Sequence, residues 1–115
     1  MNTPSYIFDQ IGQPAALEQL AEEATELAQA ALKYARKIRD DNPTPVDIYT
    51  LEANLKEEFT DVMLASDILG LRIIPSVYTF KIERWVDRIQ NRPIRTDNPD
   101  YSGEKKETEY KPEEG

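Results

Sequence analysis

The sequence predicts an all-α protein, a helical bundle of two long antiparallel helices and a third, shorter one, completed by oligomerisation. Three observations lead there. Long stretches place apolar residues at helical spacing without interior glycine or proline. The breaks between them are rich in proline and turn formers. The chain is short at 115 residues and has no cysteine, so neither disulfides nor thiolate metal sites can supplement a modest core. Burial against a second subunit is the remaining means.

Residues 1–14 read as a short lead-in. Tyr6, Ile7, Phe8 and Ile11 are apolar enough to dock on a body as one helical turn, before Gly12 and Pro14 punctuate the chain. Residues 15–39 form the first long helix. Ala, Leu, Glu, Gln and Lys dominate it, and Leu17, Leu20, Ala21, Ala24, Leu27, Ala28, Ala31, Ala35 and Ile38 recur with helical spacing. Lys33, Arg36, Lys37 and Arg39 suit the negative end of the helix dipole. The many alanines indicate close packing against another helix.

Residues 40–49 form a loop with two prolines. Thr50 is the expected N-cap of a second helix over 51–69, and Gly70 its expected C-cap. A connection over 71–75 leads to Ser76, the expected cap of a third helix that runs to about residue 90. Val77, Phe80, Ile82, Trp85, Val86 and Ile89 supply its apolar positions, with Trp85 read as core or interface. The domain therefore spans 1–90. Residues 91–115, rich in Pro, Glu, Lys, Asp and Asn without apolar periodicity, are expected to be a flexible charged tail.

The absence of histidine removes the commonest general base and the commonest zinc ligand. Ser-His-Asp and Cys-His machinery are excluded with it. Any catalysis must use carboxylates, Lys, Tyr or an oxygen-bound metal, which favours Mg²⁺, Mn²⁺ or Ca²⁺. The net charge of −8 argues against nucleic acid or an anionic membrane as the main partner. The N-terminus has neither a basic start nor an apolar run, and no stretch approaches a membrane span, so a soluble, cytoplasmic protein is expected.

The carboxylates carry the chemistry. Glu22, Glu23 and Glu26 lie on the first helix, and Glu57, Glu58 and Asp61 on the second. In each set one pair is spaced by three residues, which makes its side chains neighbours on one face. At about 100° per residue, Glu58 falls in the sector of Leu55, Val62, Ala65 and Leu69, and Asp61 falls between Leu64, Ala65 and Ile68. Both acids lie inside the apolar arc, where an ionised carboxylate is costly unless paired or metal-bound. Glu23 flanks Leu27, Glu26 lies further out, and Glu22 points nearly opposite the apolar stripe. Antiparallel packing would bring the two acid pairs to one cleft, an oxygen cage for a divalent cation. The alternative is a solvated acidic face, or acids paired with Lys and Arg.

The run at 22–34, with its ExxE, and the run at 54–63, with its ExxD, resemble the two halves of the MazG-like motif. The resemblance covers about residues 10–90. It implies a MazG-like helical bundle and Mg²⁺-dependent hydrolysis of nucleoside triphosphates between the α and β phosphates, giving a monophosphate and pyrophosphate, with Mn²⁺ as a substitute metal. It also implies a homodimer or homotetramer. Glu23, Glu26, Glu58 and Asp61 are then the metal ligands. Glu22 and Glu57 would position water or an outer-shell ligand, and a carboxylate such as Glu58 would act as base. Residues 81–89 resemble the basic segment that follows the acidic helices in some members. Lys81, Arg84 and Arg88 recur along one side and would contact phosphate, or else pair with surface acids. Lys33, on the Glu26 side of the first helix, is a phosphate contact or an ordinary surface charge. The competing function is a non-catalytic helical interaction protein, with solvated acids and alanine-rich seams.

Overall fold

A computed structural model describes residues 1–40 and 45–91, and the described residues are all-helical outside short connections. Three helices follow in order: α1 (Pro4–Arg39), α2 (Ile48–Leu69) and α3 (Pro75–Asn91). The expected tail falls outside the described residues from 92 onward. The chain divides into two compact units, Met1–Arg72 and Ile73–Gly115.

The first unit is an α1–α2 hairpin. The N-terminal segment is more than the single turn expected. Thr3 caps it, its hydroxyl accepting from the Tyr6 amide at 3.1 Å, and Pro4 takes the first helical position. Helix then continues to Ile11 and breaks at Gly12, whose φ of 84° and ψ of 167° lie in a region open to glycine alone. A Cβ there would meet only the Pro14 ring, at 4.0 Å, so backbone conformation rather than space demands the glycine. Gly12 and Pro14 do punctuate the chain, as a kink between two helical segments. Asp40 ends α1 in the left-handed region at φ 60°, its amide reaching the carbonyls of Arg36 and Lys37 at 2.8 and 3.2 Å.

The start of α2 corrects the expected boundary. The N-cap is Asp47, not Thr50. Asp47 Oδ1 accepts from the Thr50 amide at 3.0 Å, and Oδ2 from the Thr50 hydroxyl at 3.3 Å. Thr50 therefore sits one turn inside and supports the cap rather than forming it. Gly70 ends α2 as expected, at φ 73°. Its amide bonds the Asp67 carbonyl, the Leu71 amide bonds that of Ser66, and Arg72 pairs with Asp67 at 3.2 Å.

Among the described residues, only Ala16, Leu51 and Ala65 are buried. Small residues let α1 and α2 approach closely, and the half-buried Leu20, Leu27, Leu55 and Val62 extend the seam. Ser5, Phe8 and Asp9 of the N-terminal segment and Asp67 to Gly70 of α2 line a small cavity of about 300 Å³ at the end of the hairpin.

In the second unit, α3 starts at Pro75, so Ser76 lies inside the helix and is not its cap. The Tyr78 amide bonds the Ile74 carbonyl at 2.9 Å, and the proline suits the first position. Ile74, Tyr78, Ile82, Trp85 and Ile89 form one apolar strip on the helix and are all exposed. Trp85 is 64% exposed and is not a core residue of the single chain. No helix among the described residues is long and apolar enough to cross a membrane.

Candidate metal centre

The site is a consequence of register. Ala16 on α1 and Leu51 on α2 mark the buried contact line of the hairpin. At about 100° per residue, Glu23 lies ~20° from that line on α1, and Glu58 lies ~20° from it on α2, both in the same rotational sense. Glu26 and Asp61 lie ~80° round in that sense. In an antiparallel pair, equal rotations from the contact line emerge on the same side of the hairpin. The four acids therefore share one side, with Glu23 and Glu58 innermost.

Glu23 and Glu58 are half-buried, as is Asp61, and Glu26 is exposed. Carboxylate oxygens of Glu23, Glu26 and Glu58 all lie within 4.8 Å of one another, close enough to hold one ion. Asp61 is not in that set. It lies one turn along α2 from Glu58, and its charge still acts on that residue.

Glu58 is the centre of the arrangement. Its Oε1 is buried and has no hydrogen-bond partner. Burial raises its carboxyl above the ordinary carboxylate range, and the negative charges of Glu26, Asp61, Glu57 and Glu23 raise it further. The ion pairs Lys56–Glu52 and Arg72–Asp67 do not involve the cluster. Glu23 accepts a hydrogen bond from the Gln19 side-chain amide, which donates to Oε2 at 2.6 Å. Gln19 escaped sequence reasoning, although its position four residues before Glu23 was a visible signal.

The donor set fits a hard divalent cation. It offers oxygen alone, carries concentrated negative charge, and includes a buried oxygen lacking a donor. Glu23, Glu26 and Glu58 would hold the ion, with Asp61 the nearest further carboxylate.

The remaining expected site residues are not among the converging three. Glu22 and Glu57 are exposed, outside the converging three, and Glu57 acts on Glu58 through its charge. Lys33 is exposed two turns beyond Glu26 on the same side of α1. Lys81, Arg84 and Arg88 belong to α3 and are exposed, and the Arg84 guanidinium lies over the Phe80 ring, 5.7 Å from its centroid. Phe59 emerges on the opposite side of the hairpin from the acids, where it lines an open apolar groove with Leu27 and Leu55.

Compared with known proteins, the chain matches no family model, no curated protein and no solved structure.

Proposed function

We propose that this protein is a Mg²⁺-dependent nucleoside triphosphate pyrophosphohydrolase of MazG-like type, cleaving between the α and β phosphates. One observation carries the reading: three carboxylates from two antiparallel helices converge within 4.8 Å, around a glutamate with a buried, unpartnered oxygen. Left alone, such a cluster is destabilising, and its retention on an apolar seam calls for a cation. The ExxE and ExxD spacing supports the same assignment.

A Mg²⁺ ion held there would supply charge neutralisation for a triphosphate and activation of a water molecule. The chain's own residues do the rest. Glu23 and Glu58 fix the position of the charge, Gln19 orients Glu23, and a carboxylate of the cluster takes the proton from water. The proposal takes Lys33 of α1, and Lys81, Arg84 and Arg88 of α3, as its phosphate contacts.

The test is pyrophosphate release from a panel of ribo- and deoxynucleoside triphosphates with Mg²⁺ or Mn²⁺. Turnover on at least one nucleotide is expected, abolished by EDTA and by Glu58→Gln. Absence of turnover across the panel, with no effect of Mg²⁺ on thermal stability, would replace this reading with a non-catalytic helical interaction protein. The exposed apolar faces of α1 and α3 are the observation that favours that second reading.

A further inference from the structure

On α1 the carboxylates are served by an uncharged donor. From Ala15 to Leu32 the helix carries Glu18, Glu22, Glu23 and Glu26 and neither Lys nor Arg. In such a run a carboxylate is ordinarily held by a cation one turn away. Glu23 is held instead by Gln19, whose side-chain nitrogen donates to Oε2 at 2.6 Å. At about 100° per residue, Gln19 lies ~60° from the Ala16 contact line, between Glu23 at ~20° and Glu26 at ~80°, on the acidic side of the hairpin. Glu22 also stands one turn beyond Gln19, yet the bond goes to Glu23. The hydroxyls of Thr25 and Thr60, on the same two helices, donate to the backbone carbonyls of Ala21 and Lys56.

We infer that Gln19 is a positioning residue that sets the preference of the site for Mg²⁺ over Ca²⁺. The inference rests on the metal-centre reading above and adds to it which ion the site selects, and by what means. The amide takes up Oε2 of Glu23 and leaves Oε1 as the oxygen offered to an ion. Mg²⁺ demands near-ideal octahedral ligands at about 2.0–2.1 Å, a range too short for both oxygens of one carboxylate to fit. Ca²⁺ accepts about six to eight oxygens at roughly 2.3–2.6 Å and gains from carboxylates that offer both. A Glu23 pinned through Oε2 suits the smaller ion and denies the larger one its two-oxygen grip.

An amide serves this role where an ammonium would not. A lysine at this place would also bond Glu23, but its charge would offset the cluster and oppose the incoming cation. Gln19 fixes the carboxylate and leaves its charge in full. Glu58 provides the contrast, since its Oε1 is buried without a hydrogen-bond partner. The cluster thus joins a carboxylate held from outside, Glu23, to one whose inner oxygen answers to the ion. Outer partners of this kind orient metal ligands and tune the metal they take.

The test is calorimetric titration of Mg²⁺ and, separately, Ca²⁺ into the full-length protein at pH 7, in the wild type, Gln19→Leu and Gln19→Lys. Gln19 is exposed and both replacements are good helix formers, so the fold is expected to persist, as circular dichroism checks. Gln19→Leu removes the donor without adding charge. Its Mg²⁺ affinity should fall roughly tenfold while Ca²⁺ affinity changes far less, so the Ca²⁺-to-Mg²⁺ ratio of dissociation constants falls by a similar factor. Gln19→Lys keeps a donor and adds a positive charge that opposes both divalent ions alike. Both affinities should drop, with the ratio held near the wild-type value. A wild-type ratio in Gln19→Leu overturns this inference alone and leaves the metal centre standing. So does a ratio in Gln19→Lys that falls as far as in Gln19→Leu. A wild type that binds neither ion overturns the metal centre, and this inference with it.

Discussion

Glu58 shows how one side chain can be costly to a fold and useful to a site. Its carboxyl is raised by burial and by four neighbouring carboxylates. An acid raised in the folded state binds more protons there than in the unfolded chain. Its contribution therefore destabilises the fold as pH rises above the ordinary glutamate range, and the loss continues until the folded group has ionised. Taken by itself, this group makes the metal-free fold more stable near pH 4.5 than at pH 7. Glu58→Gln is expected to raise the melting temperature at neutral pH in EDTA and to flatten that part of the pH dependence, while abolishing turnover. Thermal melts from pH 4 to 8 check it. Asp47 has the opposite sign. The Thr50 amide, foremost, holds its carboxyl below the ordinary range. Its stabilisation is present above the unfolded value and fades as pH falls through the folded one. Asp47→Ala should lower the melting temperature at pH 7 more than at pH 3, whereas Thr50→Val, which keeps the amide donor, should cost less.

At the scale of the element, local backbone chemistry fixes where each helix begins and ends. Gly12 adopts a conformation closed to other residues. Gly12→Ala should destabilise the protein by about 1–3 kcal/mol in denaturant unfolding even though the added methyl meets no obstacle. Asp40 ends α1 in the left-handed region with an acidic side chain at the negative end of the helix. Asp40→Gly should stabilise by about 0.5 kcal/mol, relieving both strains at some cost in unfolded-state entropy. These boundaries were partly legible in the sequence. Gly70 and the Gly12–Pro14 break could be read because glycine and proline restrict the backbone directly. The cap at Asp47 was missed because Ile48 and Tyr49 read as loop, and Thr50 is itself a good cap type. The helix before Gly12 exceeds the expected single turn because a two-turn segment is too short for periodicity to show, and the Gly12–Pro14 break reads equally as the start of the next helix. The acid register was the most legible feature of the site. Spacing of three on each helix, with Glu58 and Asp61 in the apolar sector, pointed the two acid pairs to one cleft, and carboxylate oxygens of Glu23, Glu26 and Glu58 lie within 4.8 Å of one another. The exclusion of Asp61 from the closest set was not legible, because side-chain direction along the axis is not set by angular position.

For the whole molecule, the hairpin has two unlike sides. One gathers acids, the other carries Leu27, Leu55 and Phe59 beside Lys56, and Ala16, Leu51 and Ala65 are buried along the contact line. A chain of net charge −8 concentrates repulsion on the acidic side, so added divalent cation should stabilise it far more than the same ionic strength of NaCl. The most direct measurement is a calorimetric titration of Mg²⁺, or Mn²⁺, into the full-length protein at pH 7, alongside Glu58→Gln. The account expects saturable binding with a defined stoichiometry in the wild type, and its loss in the variant with the helical fold intact. Binding of equal strength in both proteins, or none in the wild type, would contradict a metal centre built on Glu23, Glu26 and Glu58.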